Sequence, residues 1–346
     1  MAYTTINKST DYFNTKLYTG NGGTNAITGV GFQPDWVWIK NRSSSQDHQV
    51  YDAPRGVNKK LETNTTSAEA TLGGGLQAFG TDGFTLGDHS ESNDNGDSYV
   101  SWNWKANGQG SANNDGSINT TYTSANTTAG ISIVKYTGNG SVSTVGHGLG
   151  VAPKLIIVKR LTGGTEAWPV DCRAASGIMY LNETGALGSY GDSSPFPSTA
   201  PTTTVFSIGT ANNANANGSD FVAYCFAEKI GYSKIGTYTG NGNANGTFVY
   251  TGFKPAWILI KTTDLAGNNW QMYDNKREGY NPQNDLLRTN SNNAEGNGTD
   301  PIDILSNGFK MRNTAGSANQ NGGTYIYMAF AAAPLVGSNN IPALAR

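Results

Sequence analysis

At 346 residues the chain is long enough for two or three domains of ordinary size. Hydrophobic residues make up 36% and charged residues 14%, with 45 glycines and 10% aromatics, a balance that predicts turn-rich β-structure with few helices and argues against disorder. A net charge of −2 with Lys and Arg scattered, never more than two together, argues against a phosphate-tracking surface, and no apolar run approaches the roughly 18 residues of a membrane span, so neither nucleic acid nor membrane insertion is expected.

The N-terminus, MAYTTINKSTDYFNTKLYTG, lacks a basic segment followed by an apolar one, and no secretion signal is expected. From Tyr18 the chain begins a pattern that it repeats. The string YTGNG starts at Tyr18, Tyr136 and Tyr238, and each copy is followed by a proline opening an apolar run that ends in lysine: Pro34 to Lys40, Pro153 to Lys159 and Pro255 to Lys261. The register then holds through LETN, YLNE and LRTN at Leu61, Tyr180 and Leu287, and through DGFTLG, TVFSIG and NGFKMR at Asp82, Thr204 and Asn307. Each copy closes on a strand-like segment beginning at Tyr99, Phe221 or Tyr325. Five landmarks in one order, three times over, predict three modules: residues 1–106, 130–230 and 231–332. Residues 107–129 offer no apolar face and many turn formers, and read as a flexible linker. Residues 333–346 read as a C-terminal tail.

In the run after the proline both alternating faces are apolar, with Trp36/Trp38 against Val37/Ile39 and equivalents in the other copies, which places that strand between two layers. The closing strand sets Val100, Trp102 and Trp104 on one face and small residues on the other. Short strands separated by Gly/Asn/Ser turns predict an all-β fold of three tandem antiparallel β-sandwich, jelly-roll-like modules in a row. The Asn-Gly of YTGNG is expected to form a tight hairpin, and loss of Trp36 to unfold the first module. Cys172 and Cys225 are the only cysteines and both lie in the second copy, so the shared architecture does not depend on a disulfide.

Candidate chemistry is sparse. No nucleophile elbow, phosphate loop or histidine trio is present, and no pair of carboxylates suggests glycoside hydrolysis, so neither catalytic residues nor a cofactor are predicted. The acidic loop carrying Asp88, Asp94 and Asp97 clusters oxygen ligands for calcium, but its spacing matches no known calcium loop and a solvated turn is the simpler reading. Asp52/Arg55 matches Asp274/Arg277, with Asp171/Arg173 a looser counterpart, and the recurrence points to structure. Five of the seven tryptophans fall at core positions; Trp168 and Trp270 lie in a variable stretch where a side chain could reach solvent and stack on a sugar, with His48 aligned near Trp270.

The opening MAYTTINKSTDYFNT, the recurring FxPxWxxIK after YTGNG, and the ending DGFTLG…GDSYVSWNWKA resemble repeat-bearing virion proteins of tailed phages of marine bacteria. That resemblance covers nearly the whole chain and implies a fibre-like or capsid-decorating protein, made in the bacterial cytoplasm and displayed on the virion. The implied partners are other virion proteins and a host surface glycan, the latter bound by weak multivalent contacts. It also implies a homo-oligomer, as a trimer. The expected function is host attachment as a fibre or adhesin, without enzymatic activity; the alternatives are capsid decoration or cementing and, least, a polysaccharide-active enzyme.

Overall fold

The computed structural model describes residues 4–336. It is an all-β structure of antiparallel sheets, and among the described residues its α-helices are the single turns Ser90–Asn93 and Asn212–Asn215. Each repeat contributes four equivalent strands to a large sheet. An opening strand is Phe13–Thr19, Ile131–Thr137 or Ser233–Thr239, and a proline strand is Trp36–Asn41, Leu155–Arg160 or Phe253–Thr262. A following strand is Gln49–Asp52, Pro169–Cys172 or Gln271–Asp274, and the closing strand is Ser98–Trp104, Asp220–Phe226 or Thr324–Pro334. The closing strand always lies between the opening and proline strands. A second layer backs each large sheet, pairing Asn25–Thr28 with Gly83–Leu86, Ser143–Gly146 with Val205–Ile208, and Phe248–Tyr250 with Gly308–Met311; in the third repeat that layer is continuous with the large sheet through Gln283–Arg288 and Gly296–Leu305.

Strand alternation sorts the side chains into four cores. Val37 and Ile39, Ile156 and Val158, and Ile258 and Ile260 point outward, each set filling the gap between its own large sheet and second layer. The other face points inward. Trp36, Trp38, Trp102 and Trp104 meet Leu155, Ile157, Tyr224 and Phe226 of the second repeat and Trp257, Leu259, Met328 and Phe330 of the third in one continuous core. Trp36 stacks on Tyr224 at 4.7 Å, Trp104 meets Trp257 edge-on at 5.4 Å, and Phe13 stacks on Phe330 at 5.4 Å. The buried indole N–H groups of Trp36, Trp104 and Trp257 find no hydrogen-bond acceptor there.

Four expectations are corrected. The modules do not stand in a row: each is a two-layer unit, but all three turn one face of the large sheet onto a shared centre. Residues 107–129 are not a free linker, because Thr120–Asn126 pairs antiparallel with Ile131–Thr137 and adds an edge strand to the second repeat, while Ile118 and Ala129 are buried. A polar edge strand needs few apolar anchors, since backbone hydrogen bonds hold it, and so leaves little trace in hydrophobicity. The last closing strand runs through Ala333 and Pro334, which moves the boundary of the tail, and its remainder from residue 337 lies outside the described residues.

The fourth correction concerns YTGNG. Its flanking strands belong to different sheets in the first two copies and to opposite ends of one eight-stranded sheet in the third, so in none of them do they pair with each other, and the motif is a crossing between layers rather than a hairpin. In each copy the crossing wraps around one buried asparagine: Asn21, Asn139 and Asn241 donate their backbone N–H to the side-chain oxygens of Asn93, Asn215 and Asn319 at 2.8–3.0 Å. The motif tyrosine completes the clamp, with the hydroxyls of Tyr18, Tyr136 and Tyr238 donating to the carbonyls of Ser92, Ala214 and Ala318. Positive φ falls on the glycine of each Asn-Gly pair, at +67°, +72° and +63° for Gly22, Gly140 and Gly242.

Candidate functional site

The residues singled out as sugar platforms sit in the seams between repeats. Trp168 and Trp270 are 1% exposed and His48 is fully buried, so the expectation that they reach solvent is corrected. Each reaches the neighbouring repeat: Trp168 Nε1 donates to the Glu62 carbonyl at 3.0 Å, Trp270 Nε1 to the Tyr180 carbonyl at 2.9 Å, and His48 Nε2 lies 2.9 Å from the Arg288 carbonyl. The second repeat thus holds the first, the third holds the second and the first holds the third, closing a ring. Beside these groups the lysines that end the proline strands are buried and donate to carbonyls: Lys159 to Thr66 and Glu166, Lys261 to Thr184 and Asn268, and Lys40 to Asn41. Burial lowers all three ammonium groups to about 8.

The Asp/Arg pairs obey the same ring, with one break. Asp52 pairs with Arg55 at 2.5 Å and Asp274 with Arg277 at 2.6 Å, all four side chains essentially buried. Each aspartate also accepts from the closing strand of another repeat, Asp52 from the Tyr224 hydroxyl at 2.7 Å and Asp274 from Trp102 Nε1 at 3.0 Å. The third closing strand carries Met328 at the equivalent position, and a thioether has no hydrogen to donate. Asp171 instead accepts from Tyr190 of its own repeat at 2.8 Å, and its arginine, two residues away rather than three, turns outward. Burial pushes the Asp171 carboxyl up, opposed by the Arg173 charge.

That outward turn builds a surface cleft of about 560 Å³, lined by Pro153, Lys154, Arg173, Tyr190, Ser198 and Pro201 among others. Arg173 is fixed on several sides. Its Nε donates to Asp171 at 2.7 Å, Nη1 to Ser198 O at 3.3 Å, and Nη2 to Pro197 O at 3.3 Å and Thr199 O at 3.0 Å. The guanidinium also lies 4.3 Å from the Tyr190 ring centroid. Lys154 stands at the rim, about half exposed, with its ammonium 3.1 Å from Glu228. The lining contains two cations and no carboxylate. Neither Lys154 nor Tyr190 was singled out in the sequence; the signal was the shortened Asp-to-Arg spacing of the second repeat.

The acidic loop does not converge on an ion. Asp97 accepts from Asn41 Nδ2 and Ser44 Oγ, Asp94 is exposed and caps its own loop through Asn95 N, and Asp88 is exposed. The loop is the wall that carries Asn93 into the YTGNG crossing, a role its counterparts with few or no acids fill through Asn215 and Asn319. Asp47, Glu62 and Glu91 do lie close enough to share an ion, but Lys60 reaches Glu62 at 2.6 Å and Glu91 at 3.0 Å and already supplies the positive charge. Cys172 and Cys225 are buried free thiols.

A family model described as a domain of unknown function, DUF7483, matches residues 8–334. The chain belongs to that family. The match runs across all three repeats and the 107–129 segment as a single unit, as the shared core requires. A search of curated proteins finds no match.

Proposed function

We propose that this DUF7483 protein is a non-enzymatic surface protein of a phage virion that contributes to host attachment, and that its contact with the host is made at the cleft of the second repeat. The observation that carries this reading is the broken symmetry. Two repeats spend the Asp/Arg pair on the shared core, whereas the second turns the same pair into a preorganised surface recess. A recess lined by a fixed arginine, a lysine and a tyrosine has the makings of a binding site, while the carboxylate behind it, Asp171, is committed to Arg173 and Tyr190.

The resemblance of the sequence to virion proteins supplies the setting. Association with other virion proteins, and any homotrimer, is proposed to use the outer surfaces, because the inner faces of the three large sheets are occupied by the common core. Among the described residues no helix is long and apolar enough to cross a membrane. Cryo-electron microscopy of purified virions tests the reading. The expected result is density for this fold projecting from the tail or a vertex with the second repeat facing outward; copies seated in the capsid lattice with the cleft covered would favour decoration or cementing instead.

A further inference from the structure

We infer that the cleft of the second repeat binds an anionic saccharide, one or two rings carrying a carboxylate or sulfate ester, through Arg173 and Lys154. This names the ligand class for the site proposed above and rests on that reading. The argument begins with the three-way comparison. The residue after the conserved-register proline is Asp35 in the first repeat, Lys154 in the second and Ala256 in the third, so only the second places a cation there. Arg55 and Arg277 are sealed inside, with side chains 1% and 0% exposed, whereas Arg173 is 13% exposed and lines the recess. Both departures fall in one repeat and on one cavity.

The geometry suits an oxyanion on a sugar rather than a bare ion. Of the five guanidinium hydrogens, one is spent on Asp171 and three on loop carbonyls, which leaves one Nη1 hydrogen and holds the plane fixed. In the Lys154–Glu228 contact the lysine is half exposed and Glu228 is held by the Ile235 N–H, so the ammonium at the rim remains open to a ligand anion. The remaining lining, Pro153, Ala174, Ala200, Pro201 and the Tyr190 ring, gives an apolar wall for the C–H faces of a pyranose, and Ser176 and Ser198 offer hydroxyl contacts. The cavity volume lies in the usual range for small-molecule sites.

The experiment is calorimetric titration of the full-length protein with oligogalacturonate, a sulfated oligosaccharide, a neutral oligosaccharide of equal length, and inorganic sulfate and acetate. Lys154→Ala, which truncates an exposed side chain, should weaken binding of the acidic sugar about tenfold, as should Arg173→Lys, which keeps a charge but loses the fixed Nη1 donor. Ala200→Trp, filling the recess, should abolish binding, and circular dichroism confirms that each variant is folded. Preference for the uronate or for the sulfate ester identifies the anion. Equal binding of the neutral sugar, equal binding of acetate or sulfate alone, or no binding by the folded wild type would each overturn the ligand class. Competition by the purified protein for phage adsorption is read separately: competition without acidic-sugar binding would leave attachment standing and remove only this ligand.

Discussion

His48 shows how one substitution in a repeated position changes the response of the whole seam. Its Nδ1 accepts from Trp38 Nε1 at 2.9 Å while Nε2 faces the Arg288 carbonyl at 2.9 Å, an arrangement satisfied only by the neutral ring protonated on Nε2. Protonation would set a second N–H against the Trp38 indole, and burial together with Lys40 already holds the imidazole well below 6.5. Since the unfolded chain takes up the proton first, stability is full above about pH 6.5 and falls as pH drops beneath it. Urea midpoints at pH 7.5 and pH 5.5 should therefore fall less in His48→Phe than in wild type; equal slopes would remove His48 as the cause. The seam lysines act in the opposite range. Their folded values of about 8 lie below the ordinary 10.5, so the unfolded state holds more protons between these limits and stability should rise with pH across that window. Above pH 10 the buried tyrosines, whose values are raised by burial, reverse the trend. Lys261→Met should flatten the rise between pH 8 and pH 10, measured by the same urea midpoints.

At the scale of the element, the YTGNG crossing makes a sharper demand than a turn. A Cβ at Gly20 would stand 2.0 Å from the Asp94 carbonyl oxygen, and at Gly138 and Gly240 it would stand 2.5 Å and 2.3 Å from the carbonyls of Ala216 and Gln320. The obstacle is backbone in all three, so Gly20→Ala is expected to cost about 2 kcal/mol or more, read from chemical denaturation. Gly56→Ala, with open space around the Cβ but φ at +89°, should cost less, about 1 kcal/mol. These strands also mark what was legible in the sequence. Alternation assigned both faces of the proline and closing strands correctly, because burial on a pleated strand has a fixed period. It gave no notice of Thr120–Asn126, a strand of threonine, serine and asparagine held by its ladder, nor of the cleft, whose Tyr190 and Lys154 come together only through the fold. Trp168 and Trp270 are misplaced for a related reason: what buries them is the neighbouring repeat across each seam, and variability before the Asp/Arg pair carries no sign of it.

At the scale of the whole molecule, the shared core turns three repeats into one folding unit. Hydrophobicity shows that the inward faces are apolar, but whether three such faces close on separate partners or on one another depends on contacts between residues more than a hundred positions apart, which no local pattern encodes. Trp36 makes the difference measurable. Its ring touches Trp38 and Trp104 of its own repeat and Tyr224 and Phe226 of the second, so Trp36→Ala removes contacts on both sides of the seam and leaves a cavity where no neighbour is free to collapse. The expected loss is about 3–5 kcal/mol. In three independent modules that loss would appear as one early transition followed by two unshifted ones. With a common centre it should lower a single transition for the entire chain, and a fragment ending at residue 106 should not fold, since it would expose Trp36, Trp102 and Trp104 to water. Differential scanning calorimetry of the wild type and Trp36→Ala decides between the two: calorimetric and van't Hoff enthalpies that agree in both proteins support one cooperative unit, whereas a split endotherm in the variant would restore the modules their independence.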